Sequence, residues 1–446
     1  MQQDPDPSLC QLYPDKLLDA RIGELRMYQR TTLDNRLRVL SATLPHTSSV
    51  SMLICVGAGS RYEPQELAGL SHFLEHLPFK GTKSWPSARL VSEAIEGVGG
   101  IMNASTDREM TIFWCKVSQL HFKHAFAVLM DMVLNPLLDP EEMERERDVI
   151  QEELRMTNDY PTQRVDLLID EILWPDQAMG RDVGGSLESV AQISLDDVRE
   201  YMERQYNPAN TVVALAGNVT HEEVTDLVEA ATRDWLPRQS LNMEPVTNGH
   251  HEPVVRIEQR RTDQSHICLG LPGLALDDPD RYALAILNGI LGDGMSSRLF
   301  LNLRERQGLA YEVFSSVSHF RDCGSLVVYC GVEPKKTKTA VQAMVNELHA
   351  MHEEVPQQEL NKSKEYAKGR LLLRMEDSRS VAAWLGTQEL LLGKVELVED
   401  VIGYIDAVTS EDVARVGRRI LNEENLRLAM VGPQRSDQAL RKLLRF

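Results

Sequence analysis

The chain alternates between short apolar runs and longer segments with helical periodicity. SVSMLICVG (49–57) and SLVVYCGV (325–332) are continuous apolar runs of strand length. QELAGLSHFLEHL (65–77) and KTAVQAMVNELHAM (338–351) repeat apolar residues every three or four positions, as an amphipathic helix does. Strand runs mixed with helix runs in this way predict an α+β fold.

The same order of elements occurs twice along the sequence. Residues 193–217 align without gaps with residues 408–432 at an offset of 215, and pairs such as Asn207 and Asn422 are identical. We therefore predict that the chain consists of two homologous domains that arose by duplication.

A polar segment divides the two copies. PRQSLNMEPVTNGHHEP (237–253) contains proline, glycine and asparagine and has no apolar period, which is typical of a linker. We expect an N-terminal domain at 1–238, a linker at 239–252 and a C-terminal domain at 253–446. A length of 446 residues supports two domains, because single cores stop growing at roughly 250 to 300 residues.

Composition excludes several classes of function. The 48 Lys and Arg against 67 Asp and Glu give a net charge of −19, which argues against nucleic-acid or anionic-membrane partners, since these require clustered cations. No window of 18 apolar residues is present, so we expect no transmembrane helix. The six cysteines, among them Cys10, Cys55 and Cys268, include no CxxC pair and are expected to be reduced core thiols.

The N-terminal stretch lacks the features of an export signal. MQQDPDPSLCQLYPDK has no basic flank followed by an apolar run, and its aspartates do not fit a transit peptide. The simplest expectation is a cytoplasmic bacterial protein.

The segment SHFLEHLPFKGT (71–82) places two histidines and a glutamate on one stripe of a helix. His72, Glu75 and His76 lie at i, i+3 and i+4, which share a face. Two histidines one turn apart can bind one zinc ion and leave room for a third ligand and a water. Glu75 is then placed to act as general base on that water. The competing interpretation is a pair of core histidines satisfied by hydrogen bonds.

The second copy indicates that this stripe is not needed for folding. A weaker alignment at an offset of 213 places Cys55 over Cys268. In that alignment His72, Glu75 and His76 correspond to Ala285, Asn288 and Gly289. Because these counterparts carry no imidazole or carboxylate, we infer that the polar groups serve chemistry in the first copy.

An acidic helix offers candidates for the third ligand. DPEEMERERDVIQEELRM (139–156) begins with Asp139-Pro140, a good helix start. Glu146 and Glu153 are seven apart and share a face, but periodicity alone does not choose among Glu144, Glu146, Glu152 and Glu153. Any one of these glutamates taken by itself is more typical of a solvent-facing residue.

These motifs together resemble the pitrilysin/insulinase family of zinc metallopeptidases, and in particular its half-length, mitochondrial-processing-peptidase-like members. HFLEHLPFKGT, NASTDREMTIFWCKV and ERERDVIQEEL occur in the family's order, and 76 residues separate His76 from Glu153, as the family pattern requires. The resemblance implies that His72, His76 and Glu153 bind one Zn²⁺ per chain and that Glu75 is the general base. It assigns Glu146 a supporting catalytic role.

The resemblance extends to substrate binding. SSRLFLNLRERQGLAYEVFSS (296–316) resembles the family segment in which Arg304 and Tyr311 hold the peptide near the scissile bond. The alternative is a surface arginine and a core tyrosine. NASTDRE (103–109) resembles an edge strand that pairs with the bound peptide, with Asn103 as a side-chain contact; the alternative is a turn asparagine.

Three local features depart from the family pattern. Arg36 stands where relatives usually have glycine after Asn35, so that turn must tolerate a side chain. Pro78 follows Leu77, so the zinc helix should end near Leu77. Asp293 interrupts a run that is often all glycine. None of these positions is a proposed ligand.

The resemblance also implies the fold and the assembly. Each domain is expected to be a mixed, mainly antiparallel sheet packed with helices. Full-length relatives enclose a chamber with four such domains, and this chain supplies two. We therefore expect a homodimer, or a heterodimer with a homologous chain, that hydrolyses unfolded peptides. A non-catalytic structural or partner subunit of a processing-peptidase-like complex is the alternative function.

Overall fold

The structure is a computed structural model that describes residues 28–247 and 252–445. Residues 1–27, which include Cys10 and the stretch expected to lack an export signal, lie outside the described residues, as do 248–251 of the predicted linker. Within the described ranges, no helix has both the length and the apolar composition needed to cross a bilayer.

The strands are β1 (Tyr28–Thr32), β2 (Arg38–Thr43), β3 (Ser49–Val56), β4 (Ile101–Thr106), β5 (Thr111–Ser118), β6 (Thr211–Gly217), β7 (Val254–Gln259), β8 (Ser265–Pro272), β9 (Ala310–His319), β10 (Gly324–Val332) and β11 (Arg427–Gly432). The α-helices are α1 (Leu70–His76), α2 (Ala88–Glu96), α3 (Phe122–Leu134), α4 (Pro140–Asp159), α5 (Pro161–Leu173), α6 (Leu187–Gln192), α7 (Leu195–Gln205), α8 (His221–Thr232), α9 (Arg281–Leu291), α10 (Thr337–Ala350), α11 (Gln357–Arg374), α12 (Ser378–Leu392), α13 (Val398–Ala407), α14 (Ser410–Ile420) and α15 (Gln438–Arg441).

The strands form two sheets whose topologies match, except that the first has an additional edge strand, β1. The first has the order β1-β2-β6-β3-β5-β4 and the second β7-β11-β8-β10-β9. In each sheet one strand pair is parallel, β2 with β6 and β7 with β11, and the remaining pairs are antiparallel. The predicted α+β fold with a mixed, mainly antiparallel sheet in each half is therefore confirmed.

The repeat alignment is correct at one offset and wrong at the other. Cys55 pairs with Val212 in the first sheet, and Gly270 pairs with Arg427 in the second. Since Arg427 follows Val212 by 215 positions, Cys55 corresponds to Gly270 and not to Cys268. A shift of two residues leaves each side chain on the same face of the strand. The alternation of faces along the sequence therefore gave no sign of the error.

The turn after β1 shows how a departure from the family pattern is accommodated. Arg36 has φ 70°, a left-handed conformation that glycine adopts at lower cost. Asn35 supports the turn: its Oδ1 accepts from the Leu37 backbone N–H at 3.1 Å. The turn therefore tolerates a non-glycine residue, as expected.

The first sheet is covered on one face by a helix from the other half of the chain. Val381 and Leu385 of α12 share a buried cluster with Cys55 and Ala214 of β3 and β6. The opposite face packs on helices of the first half, among them α1 and α3. Burial on both faces explains why β3 and β6 are continuous apolar runs and not alternating ones.

The second sheet has the reciprocal arrangement. Leu168 and Ile169 of α5, a helix of the first half, share a buried cluster with Cys268 and Ala429. We call α5 and α12 the exchanged helices. Helix α5 approaches the second sheet closely at a glycine of β8: a Cβ on Gly270 would lie 2.7 Å from Ile169 Cγ1.

Ion pairs also join the two halves. Glu389 of α12 is 1% exposed and binds Arg30 of β1 through both of its carboxylate oxygens, at 2.9 and 3.1 Å. Arg61, also 1% exposed, bonds to Glu109 of the first half and Asp322 of the second. Separating the halves would therefore take Arg30 from the buried Glu389 and Asp322 from the buried Arg61.

We predict that Leu385→Ala in α12 destabilises the whole chain. Leu385 is 4% exposed between the halves, and truncating a buried leucine costs about 2 to 5 kcal/mol. Urea unfolding followed by circular dichroism should show a lower midpoint. Leu373→Ala, at a leucine that is 73% exposed on α11, is the matched control and should change the free energy of unfolding by less than about 0.5 kcal/mol. Equal effects of the two substitutions would contradict the packing of α12 described here.

Candidate metal centre

The helix that carries the two histidines is capped by a buried carboxylate. Glu63 accepts from the backbone N–H groups of Gly69 and Ser71, at 2.8 and 2.6 Å, at the N-terminal end of α1. Gly69 has φ 96°, and a Cβ there would lie 2.4 Å from the Gly184 carbonyl oxygen. A carboxylate at this end satisfies free amide groups and complements the helix dipole.

The helix ends where proline predicts it should. α1 stops at His76, and Leu77–Lys80 forms one turn of 3₁₀ helix with Pro78 near its start. The rings of His72 and His76 stand edge to face, with centroids 4.7 Å apart. Both imidazoles therefore lie on one face of α1, and Lys80 follows them at the end of the 3₁₀ turn.

Helix α4 is built around one buried stripe. Asp139 caps it by accepting from the N–H groups of Glu141 and Glu142, and Pro140 occupies the first turn, as the Asp-Pro start predicts. The buried face is formed by Met143, Glu146, Ile150 and Leu154. Glu146 thus lies on the side of α4 that faces α1.

The structure separates the four candidate glutamates. Glu144 and Glu152 have side chains that are 67% and 73% exposed and pair with arginines of their own helix. Glu153 lies beside the histidines: its Oε2 is 3.9 Å from His72 Nε2 and 3.7 Å from His76 Nε2. One ligand atom from each of these three residues lies within 4.8 Å of the other two.

Glu146 contacts His76 at Nδ1, the ring nitrogen that does not face Glu153. Its Oε2 lies 3.0 Å from His76 Nδ1 and its Oε1 lies 2.5 Å from Lys80 Nζ, while its side chain is 5% exposed. Burial would raise the pKa of Glu146, but the bonds from His76 and Lys80 outweigh it and hold the pKa below its usual value. Glu146 is therefore a buried anion that is bonded to His76 and Lys80.

The two histidines have different environments. Burial, and to a smaller extent His76, lowers the pKa of His72 to about 4, and its buried Nδ1 has no hydrogen-bond partner among the described residues. Burial also acts to lower the pKa of His76, but the hydrogen bond to Glu146 and the nearby carboxylates raise it overall. The tautomer of His76 that donates from Nδ1 to Glu146 leaves its Nε2 lone pair directed to the cluster.

Glu75, on the same stripe of α1 as the histidines, is hydrogen-bonded to Thr106 of strand β4. Burial raises the pKa of Glu75, and hydrogen bonding to Thr106 and the charge of His76 only partly offset this. Thr106 is the last residue of β4, the edge strand of the first sheet. The general-base candidate is therefore held beside the last residue of an edge strand.

Asn103 lies in the middle of that edge strand. It is exposed, and its Oδ1 accepts from the backbone N–H of Ala104 at 2.8 Å. The alternative of a turn asparagine is wrong, because residues 101–106 are extended and pair with β5.

Arg304 and Tyr311 lie in contact with each other. Arg304 donates to the Tyr311 carbonyl at 2.8 Å, and its guanidinium lies 4.9 Å from the centroid of the Tyr311 ring. Tyr311 is 76% exposed, so the alternative of a core tyrosine is wrong. Within residues 28–247 and 252–445, no hydrogen bond, ion pair or ring contact joins this pair to the three-ligand cluster.

Sequence reasoning missed three residues that shape the site. Lys80 carried a local signal, because it follows His76 by four positions and must share its face. Glu63 and Thr106 carried none, because each reaches α1 from a neighbouring loop or strand. Their roles depend on tertiary contacts that have no period.

The donor set fits a divalent transition metal. Two imidazoles and one carboxylate are the ligands of many catalytic zinc sites, which keep a fourth position open. A zinc ligand must be a neutral imidazole, and His72 is neutral over the physiological range of pH. The geometry of the three donors is therefore compatible with one zinc ion next to Glu75.

Comparison with known proteins agrees with this arrangement. Residues 38–186 match the sequence model of the insulinase family, peptidase family M16, and residues 192–366 match that of the peptidase M16 inactive domain. An uncharacterized zinc protease from Streptomyces coelicolor is 36% identical over 94% of this chain and 92% of its own. One from Bacillus subtilis is 34% identical over 91% of this chain and 98% of its own.

Solved structures share the fold. A protease from Helicobacter pylori superimposes with a TM-score of 0.85 at 22% identity, covering 91% of this chain and 99% of that one. A chain of complex III2 from Candida albicans gives a TM-score of 0.80 at 18% identity, covering 93% and 99%. The names of the relatives support a peptidase role and suggest zinc as the metal. On the strength of its identity to these relatives over more than nine-tenths of its length, the chain belongs to the insulinase family of peptidases, family M16.

Proposed function

We propose that this chain is a zinc-dependent endopeptidase that hydrolyses unfolded peptides inside a chamber formed by two chains. The observation that carries the proposal is the convergence of His72, His76 and Glu153, with Glu75 on the same helix stripe. His72, His76 and Glu153 would hold one Zn²⁺ per chain. When bound there, zinc supplies Lewis-acid polarisation of the peptide carbonyl and makes water a better nucleophile near neutral pH.

The protein's own residues have separate tasks in this proposal. Glu75 takes a proton from the attacking water and later delivers it to the amine of the leaving peptide. Glu146 holds His76 through its Nδ1 nitrogen. Arg304 and Tyr311 donate to the substrate carbonyl as charge develops on its oxygen.

Substrate pairing is proposed at strand β4. Its outer edge is free, because β5 is its only partner strand among the described residues. A peptide added to this edge would gain main-chain hydrogen bonds that depend little on its sequence. Asn103 would contribute a side-chain contact on the exposed face, and Thr106 would bring the peptide to Glu75. Only an extended, unfolded segment can bind in this way.

We propose a homodimer as the working assembly, with a heterodimer of homologous chains as the alternative. This chain matches 92% and 98% of the lengths of two relatives, so the two sheet-containing halves correspond to most of each of them. The absence of contact between the Arg304–Tyr311 pair and the ligand cluster, within the part of the chain described, fits a site completed by movement of one half or by a second chain.

A non-catalytic subunit is the second candidate function. It is favoured by the fold similarity to a chain of complex III2 and by the match to the inactive-domain model. That match covers residues 192–366 and leaves the ligand set, which ends at Glu153, in the half that matches the insulinase model. A complete ligand set favours the peptidase over a purely structural subunit.

We predict that Glu75→Gln removes cleavage and retains zinc. Glutamine keeps the shape of the side chain but cannot accept the proton, so the turnover of an unstructured peptide should fall by about 10²- to 10⁴-fold. Zinc content by elemental analysis should stay at one per chain. Wild-type turnover by this variant would refute the assignment of Glu75, and an inert wild-type protein that binds zinc would support the non-catalytic alternative.

We predict that Glu153→Gln removes zinc, whereas Glu152→Gln does not. The two glutamates are adjacent on α4, but only Glu153 faces the histidines. Loss of a direct ligand should weaken zinc binding by more than the roughly 10- to 100-fold that loss of an outer-shell partner costs. Equilibrium dialysis measures both variants, and chelator followed by added zinc should abolish and restore wild-type cleavage. Equal zinc affinity of the two variants would exclude Glu153 as a ligand.

We predict a particle of twice 50.4 kDa in light scattering. The physical reason is that one chain provides two of the four sheet-containing units expected around a closed chamber. A fully active particle with the mass of one chain would remove the two-chain chamber and leave the zinc chemistry untouched.

A further inference from the structure

We propose that Lys80 is a positioning residue for the metal ligand His76 and acts through Glu146. The inference rests on the proposed zinc function and concerns a residue outside the ligand set. It assigns a purpose to the turn that follows the zinc helix.

The chain brings Lys80 into position by local geometry. Pro78 ends α1, and the 3₁₀ turn Leu77–Lys80 continues the chain in nearly the same direction. Lys80 therefore follows His76 by about one turn and lies on the same side. Both side chains can reach one residue on the facing helix α4, and that residue is Glu146.

Glu146 uses one oxygen for each partner. Oε1 is 2.5 Å from Lys80 Nζ, and Oε2 is 3.0 Å from His76 Nδ1. A carboxylate gripped at both oxygens cannot rotate without breaking a charge-assisted bond. Lys80 thereby holds in place the Glu146 oxygen that accepts the hydrogen bond from His76 Nδ1. Because this bond orients the imidazole ring, it also sets the direction of Nε2.

Burial makes this grip necessary. The Glu146 side chain is 5% exposed and lies between Met143 and Ile150 on the buried face of α4. A buried carboxylate with a single partner is costly and tends to rearrange toward water. The Lys80 side chain is 28% exposed, so it links the buried anion to the surface without being buried completely itself.

The contrast with the other histidine indicates that the support is specific. His72 Nδ1 is buried without a partner among the described residues, so no hydrogen bond at that nitrogen orients its ring. His76 is held by a chain of two charged residues. The two ligands should therefore respond differently to loss of Lys80, with the effect confined to His76.

The test compares zinc dissociation constants, measured by competition with a metallochromic indicator at one fixed pH and ionic strength. Lys80→Met should weaken zinc binding by about tenfold, the lower end of the loss seen for outer-shell partners. Lys80→Arg, which restores a cation able to donate to Glu146, should bind within about threefold of the wild type. Lys83→Met, at an exposed lysine three positions away, is the control and should match the wild type.

A double-mutant cycle separates positioning from a general effect on folding. In a Glu146→Gln background the carboxylate is gone, so adding Lys80→Met should change the dissociation constant by less than about twofold. Circular dichroism checks that each variant is folded, and Lys80→Gln replaces Lys80→Met if the latter does not fold.

Three results would overturn the inference: unchanged zinc affinity in Lys80→Met, an equal loss in Lys83→Met, or the full loss persisting in the Glu146→Gln background. A wild-type protein that binds no zinc would overturn the proposed function and this inference with it. Zinc binding by the wild type with no effect at Lys80 would overturn the inference alone.

Discussion

The exchange of helices between the two halves is the constraint on which the rest of the structure depends. Helix α12 of the second half covers one face of the first sheet, and α5 of the first half covers one face of the second sheet. Each sheet would otherwise expose one apolar face to water. The hydrophobic effect therefore makes the halves fold together, because neither can bury its own sheet completely. Glu389 and Arg61 further constrain how the halves are placed, since each is buried and binds a charged residue of the other half, Arg30 and Asp322 respectively.

The candidate metal site lies on the face of the first sheet opposite to α12. α1 packs its apolar face into the core of the first half, and α4 lies against it. Among the polar residues between the two helices, Glu146 is the most deeply buried, with a side chain that is 5% exposed. His76, Glu146 and Lys80 satisfy one another, and the Glu63 carboxylate satisfies the free amides at the start of α1. Preorganisation of the ligands thus follows from the need to pair buried charges.

The duplicated halves have diverged in chemistry while keeping one scaffold. α9 takes the place of α1 in the order of elements of the second half, and its sequence, RYALAILNGIL, has no histidine or carboxylate. The second half instead presents Arg304 and the exposed Tyr311 at its own edge strand, β9. In the function proposed above, the metal ligands lie in one half and the donors for a substrate carbonyl in the other. A site of this kind needs both halves in one chamber, which connects the fold to the proposed assembly.

The sequence by itself determined the features that depend on local interactions. The end of α1 before Pro78, the start of α4 at Asp139 and the α+β order of each half follow from backbone and capping preferences that act within a few residues. The stripe of His72, Glu75 and His76 follows from helical period, and the resemblance of its spacing to a known family pointed to Glu153. Only the tertiary structure showed Glu153 beside the histidines and Glu152 in solvent, brought Lys80 to Glu146 and Glu63 to the start of α1, and corrected the repeat alignment in β8. Only the tertiary structure, too, revealed the exchanged helices. Contacts between segments tens to hundreds of residues apart leave no periodic signal in a single sequence, because they are decided by which apolar faces and buried charges the whole fold must satisfy at once.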